Sequence, residues 1–144
     1  MNKISIRGVL LGAFADIALT NVLAVPLVLY TIAHFGLTKL PPVQAQAAVI
    51  AAIHSQTVLT TIEMAIGLGC AAIGGYIAAW VAKHDELLNG VLASFLCVGI
   101  DLYALLTGAA AHSPKLQWLL ILGSPLFALL GGFLRQRHRV ELRT

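Results

Sequence analysis

The chain has 144 residues, 59% of them hydrophobic and only 10% charged, with a mean hydropathy of +0.90. That balance excludes a soluble globular domain and points to a single membrane domain over 1–144. The pI near 9.1 comes with no basic–aromatic array, so it marks juxtamembrane charge and no nucleic-acid partner. Gly-rich phosphate loops, nucleophile elbows and paired cysteines are absent from the sequence, which leaves no enzyme signature and no cofactor to name.

Charge-free runs cover 17–38, 64–82, 87–100 (continuing past Asp101 to 114) and 116–134. Crossing a hydrocarbon core takes about 20 residues, so four spans are expected near 8–33, 60–82, 87–110 and 116–134. Seven basic residues fall at one side of such an arrangement: Lys3, Arg7, Lys83, Arg135, Arg137, Arg139 and Arg143. Only Lys39 and Lys115 fall at the other, which predicts both termini in the cytoplasm.

The first span follows a basic start but is too long for a signal peptide and carries Asp16, so it reads as a mature helix. Asp16 belongs to an i, i+4 run of small or polar residues, Gly8–Gly12–Asp16–Thr20–Ala24. Small residues at that spacing let helices approach closely in lipid and aim the acid at another helix or a cavity. By helical rise Asp16 lies about 13 Å from the inner end, with Thr20 and Asn21 just beyond it. An acid at such depth is costly, and so is a proton- or cation-site candidate, the alternative being a structural hydrogen bond.

The outer connection, 34–59, contains Pro41-Pro42 followed by an Ala-rich stretch, the pattern of a helix with proline in its first turn. Gln44, Gln46 and Ser55-Gln56-Thr57 favour a separate helix over 43–54 at the outer interface, against the alternative of continuity with the second span. Thr60-Thr-Ile-Glu63 reads as a capping box that opens the second span, with Glu63 at its outer mouth. Glu63 also heads the run Glu63–Gly67–Ala71–Gly75–Ala79. The inner loop 83–86 then places Asp85 and Glu86 at the start of the third span, where they suit its dipole.

The third span carries Asp101 in the run Ser94–Cys97–Asp101–Ala104–Gly108. Its depth, about 20 Å from the inner end, matches that of Asn21, so the two meet if the first and third spans are neighbours. Gly8, Gly12, Gly67, Ala71, Gly75 and Gly108 are the expected helix-packing positions, and through them the chain is expected to self-associate or to join a larger membrane complex. A tight turn at 111–114 leads to the fourth span, in which Pro125, like Pro26 in the first, would free carbonyls near a cavity. The tail from Arg135 to Arg139 is expected to attract anionic lipid. His34, His54 and His112 are external and with Glu63 form weak candidates for a metal or proton vestibule, without any metal-type spacing. Cys70 and Cys97 have no metal-type spacing either.

Two halves share features: Gly8-Val9-Leu10 with Gly90-Val91-Leu92, and Gly74-Gly75-Tyr76 with Gly131-Gly132-Phe133. Two spans per copy imply tandem helix pairs of one orientation, related by an axis along the membrane normal. The stretch Gly74-Gly75-Tyr76-Ile-Ala-Ala-Trp-Val-Ala-Lys83, followed by Glu86-Leu-Leu-Asn-Gly90, resembles small bacterial four-span membrane proteins with a Gly-Gly-Tyr-x-Ala-Ala step. That resemblance implies a bacterial inner-membrane location and carries over no functional residue. An acid within the first of four spans is also similar to small multidrug transporters, although their later motifs are missing. The expected object is thus an all-α, integral membrane four-helix bundle with an outer interfacial helix. The functional reading is a proton- or cation-coupled transporter or channel using Asp16 and Asp101, with Asn21 and Glu63 as further candidates. The alternatives are a non-catalytic accessory subunit and, third, a membrane enzyme using the outer His/Glu rim.

Overall fold

The computed structural model describes residues 4–107 and 114–141, and every element in it is helical. The helices are α1 (Ile6–His34), α2 (Pro42–Ser55), α3 (Thr57–Ala82), α4 (Glu86–Leu106) and α5 (Pro114–Glu141). A 3-10 turn, Leu37–Lys39, precedes α2. All but α2 are long and apolar enough to cross a membrane.

The interior is built from small residues and the exterior from large apolar ones. Gly8, Gly12, Ala13, Ala71, Gly74, Gly75, Ala78, Ala79, Ala93 and Ala128 are buried, while Phe14 is 71% exposed and Leu106 78%. In water such a surface would be a large association patch; against lipid tails it costs nothing. The bundle is therefore shaped for an apolar solvent, with close backbone contact as its cohesion.

Helices α1 and α3 form one antiparallel pair and α4 and α5 a second. The pairs lie side by side with like against like, α1 on α4 and α3 on α5. Helix α4 also touches α3, but among the described residues α1 and α5 make no contact. A two-fold axis between the pairs would make those two contacts equal, so the pairs are displaced rather than related by such an axis.

Each Gly-Gly step serves two contacts at once. A Cβ on Gly74 would come within 2.8 Å of the Gly12 carbonyl oxygen on α1, while one on Gly75 would enter the backbone of Ala128 on α5. On α5, Gly131 lies against the Ala72 carbonyl of α3, and Gly132 faces the Glu86 carbonyl of α4. The expected packing residues Gly8, Gly12, Ala71 and Gly75 are thus consumed inside the chain. Gly67 makes no close helix contact within the chain: among the described residues nothing lies within 4 Å of a Cβ placed there. Gly108 lies outside the described residues.

Helix α2 is separate from α3, broken at the extended Gln56. Proline occupies its first turn, and Leu27, Val49, Ile53 and Leu59 form a small core with Val28, Ile32, Phe35 and Leu37. The capping box does not form. Helix α3 starts at Thr57, a turn earlier than 60, so Thr60 is inside it and its hydroxyl donates to the carbonyls of Ile53 (3.0 Å) and Gln56 (3.2 Å). That hydroxyl fastens α2 to α3.

At the opposite end the N-terminus of α1, the α3–α4 turn and the C-terminal part of α5 meet. Lys83 (φ 59°) and Asp85 (φ 41°) are left-handed, a conformation costing non-glycine residues about 1–2 kcal/mol each. Two side chains hold the turn. Asn89, fully buried, donates to the His84 (3.0 Å) and Asp85 (3.1 Å) carbonyls and accepts from the Ser5 amide (2.7 Å). Arg139 donates to the Lys83 carbonyl (2.8 Å) and to Glu86 Oε1 (3.0 Å). Helix α5 thus continues past 134, through the basic tail, because that tail has a docking partner.

Candidate functional site

Asp16 projects from the buried face of α1, just above the Gly12–Gly74 contact; a Cβ on Gly74 would come within 2.8 Å of its own Cβ. Glycine at 74 is what admits a carboxylate between the helices. Asp16 is 7% exposed and accepts hydrogen bonds from Cys97 Sγ on α4 (3.2 Å) and Thr20 Oγ1 on α1 (3.5 Å). Helices α1 and α4 are parallel neighbours at this level, in register through Ser5–Asn89 and Asp16–Cys97. One further turn along that register brings Thr20 and Asn21 to the level of Asp101.

These residues share one cavity of about 270 Å³. Its polar lining is Asp16, Thr20 and Asn21 from α1, Glu63 from α3, Cys97 and Asp101 from α4, and Ser124 from α5. Its apolar lining includes Ile17, Leu68, Ile100 and Leu120, with Gly67 forming part of the wall. All four ion-site candidates, Asp16, Asn21, Glu63 and Asp101, therefore lie around a single space. Asn21 also donates through Nδ2 to the Ile17 carbonyl, 2.8 Å away on its own helix. Gly67, expected at a helix contact, contributes room instead. By helical rise the cavity reaches from Glu63, about 9 Å into α3, down to Asp16, about 15 Å into α1 from the other end.

Glu63 joins this cavity to α2: its Oε2 lies 3.2 Å from His54 Nε2. His34 is elsewhere, stacked on Tyr30 with ring centroids 5.4 Å apart and edge-on to Phe35. His112 lies outside the described residues. Among the described residues no three His, Cys, Asp or Glu side chains converge closely enough to hold a metal ion. The carboxylates are spread around the cavity rather than gathered on a point, an arrangement suited to relaying protons or surrounding a hydrated or organic cation.

Sequence reasoning passed over several residues of this site. Cys97 was visible only as a small member of a seam, yet it is the cross-helix donor to Asp16. Ser124 and Leu120 bring α5 to the cavity, and Ser124 adjoins Pro125, whose missing amide proton leaves a carbonyl one turn back without its usual donor. Cys70 is free and buried in the bundle. Comparison with known proteins yields no matching family model, no matching curated protein and no matching solved structure, so the functional reading stands on the geometry alone.

Proposed function

We propose that this is a small multi-pass protein of a bacterial inner membrane that moves protons or a small cation by way of Asp16, Glu63 and Asp101. The observation supporting it is the convergence of three carboxylates, from three different helices, on one cavity inside otherwise apolar spans. One intramembrane acid is accounted for by an interhelical hydrogen bond; three around a common space exceed what packing requires. Beyond Asp16 the helices close on one another at Gly12, Gly74 and Ala78, so the cavity ends at that acid. A blind cavity fits a carrier that opens alternately better than a continuous pore.

The expected result, in vesicles reconstituted with purified protein, is proton or cation flux above that of empty vesicles. Asp16→Asn and Asp101→Asn should abolish it while leaving size-exclusion profiles unchanged, because an amide still hydrogen-bonds but does not titrate. Wild-type vesicles no leakier than empty ones, across a panel of ions, overturn the reading. The accessory-subunit reading has one observation of its own: Asp16 is bonded by Thr20 and Cys97 within the bundle. It predicts Asn variants that are neutral in every assay.

Sidedness follows from the basic residues. The bundle end that holds Arg7, Lys83, Arg137 and Arg139 faces the cytoplasm in this proposal, and α2 lies along the outer interface. Cysteine placed at Lys39 should then react with an impermeant maleimide in intact cells, and cysteine at Arg137 should not; labelling at 137 reverses the orientation. A homo-oligomer or a larger membrane complex is the proposed setting. Its interface would lie on the lipid-facing surfaces, since Gly8, Gly12 and Gly75 are occupied within the chain.

A further inference from the structure

The basic end of the bundle holds a second cavity, of about 320 Å³, lined by Tyr76 from α3 and by Arg135, His138 and Glu141 from α5. The three arginines of the tail differ in what they meet. Arg139 is bound to Glu86 and the Lys83 carbonyl, and Arg137 Nε lies 3.4 Å from Glu141 Oε1, which also draws that carboxylate's charge. Arg135 has no carboxylate partner among the described residues, and its Nε is buried without a hydrogen-bond partner. Arg135 lines this cavity, and a guanidinium without a carboxylate partner leaves its charge and its remaining N–H groups to an oxyanion seated there.

A bonded phenol–imidazole pair stands at the same cavity, and whichever of the two donates to the other, one free donor remains. Tyr76 Oη lies 3.3 Å from His138 Nδ1, with the rings edge to face at 6.1 Å, so phenol and imidazole are held together as one polar wall. A planar guanidinium beside a hydroxyl and an imidazole is a donor set matched to tetrahedral oxygens. Trp80, 56% exposed one turn beyond Tyr76, marks this level as the membrane–water boundary, where phosphates are dense.

We infer that the Tyr76–Arg135–His138 cavity binds a phosphate group, through the Arg135 guanidinium and the Tyr76–His138 pair. Two sources share that chemistry: the phosphodiester of an anionic phospholipid headgroup and a soluble phosphate. The site is independent of the acid cavity and of whether that cavity transports. It also differs from diffuse attraction between a basic tail and a charged surface, because it depends on the shape of one guanidinium and on one hydroxyl.

The test uses full-length protein in mild-detergent micelles, with bound lipid counted by native mass spectrometry as dioleoylphosphatidylglycerol is titrated. Arg135→Lys keeps the charge and Tyr76→Phe removes only the hydroxyl. Each should weaken binding about tenfold, the worth of one hydrogen bond to a charged group. Arg137→Lys, outside the cavity lining, should bind like wild type, and circular dichroism of all variants should match. Competition by glycerol phosphate or inorganic phosphate at millimolar concentration assigns the site to soluble phosphates. Binding that resists them, and that dioleoylphosphatidylcholine does not reproduce, assigns it to anionic headgroups. Equal lipid binding by wild type, Arg135→Lys and Tyr76→Phe, with no protection by either soluble phosphate, overturns the proposal.

Discussion

Gly75→Leu should prevent the bundle from assembling, with a loss at or above the upper end of the ~1–3 kcal/mol typical of overpacked cores. The reason is what the new side chain would strike. A Cβ at Gly75 would run into the carbonyl, Cα and O of Ala128, which are backbone atoms of α5 and have no rotamer to adopt. The same contact brings Gly131 against the Ala72 carbonyl, so α3 and α5 touch through two glycines in one crossing. Moving the helices apart to admit leucine breaks both at once. It also withdraws α5 from Gly90 of α4, which faces Ala128 and Gly132. Gly67→Leu is the control, since nothing lies within 4 Å of that Cβ. Thermal unfolding in detergent should show Gly75→Leu absent or much less stable and Gly67→Leu near wild type. Because Gly67 lines the acid cavity, its leucine variant should nevertheless lose flux. Near-equal melting of all three proteins would mean that the α3–α5 contact is not what holds the bundle together.

That pair of glycines shows where sequence reasoning reaches and where it stops. Hydropathy located the four spans because crossing lipid imposes a length and forbids charge, and both constraints are local. In the i, i+4 runs Gly8, Gly12 and Gly75 lie against neighbouring helices and Ala71 is buried, yet the same runs gave no way to tell Gly67, which lines a cavity, from Gly75, which fills a contact. Spacing reports the face of a helix, not what stands opposite it. Nor does a seam state whether its partner is in the same chain.

The candidate site was legible residue by residue but not as an assembly. Asp16, Asn21, Glu63 and Asp101 were identifiable singly because each is expensive in lipid. Their meeting at one cavity depended on α1 lying beside α4, which only the packing supplies. Of the readings of Glu63, the capping box fails, because α3 begins at Thr57, while the carboxylate turns to His54, one of the external histidines named beside it. Asn89 was missed entirely. Its sign was an Asn-Gly pair at the start of a span, ordinary in a turn and decisive here because Asn89 holds the carbonyls of His84 and the left-handed Asp85.

Arg139→Met should destabilise the protein by about 2–3 kcal/mol, the cost of leaving a buried carboxylate without its cation. Glu86 has a side chain only 5% exposed, and its Oε2 already lacks a hydrogen-bond partner, so the bond from Arg139 to Oε1 is what offsets its burial. Arg139 is itself 37% exposed, and water reaching its outer side places the figure below that of a fully enclosed pair. The same nitrogen holds the Lys83 carbonyl, so the substitution also loosens a turn that contains two left-handed residues. Glu86→Gln separates the two contributions. In the Arg139→Met background it removes the stranded charge but not the loss at Lys83, and should recover about half of the stability. In the wild-type background it should cost about 1 kcal/mol, the difference between a charged and a neutral acceptor. A double-mutant cycle by thermal unfolding in detergent should therefore give a coupling energy of about 2–2.5 kcal/mol between positions 86 and 139. Additive effects within about 0.3 kcal/mol would place this pair with exposed ion pairs, and would mean that α5 is held at this end by its glycine contacts rather than by its arginine.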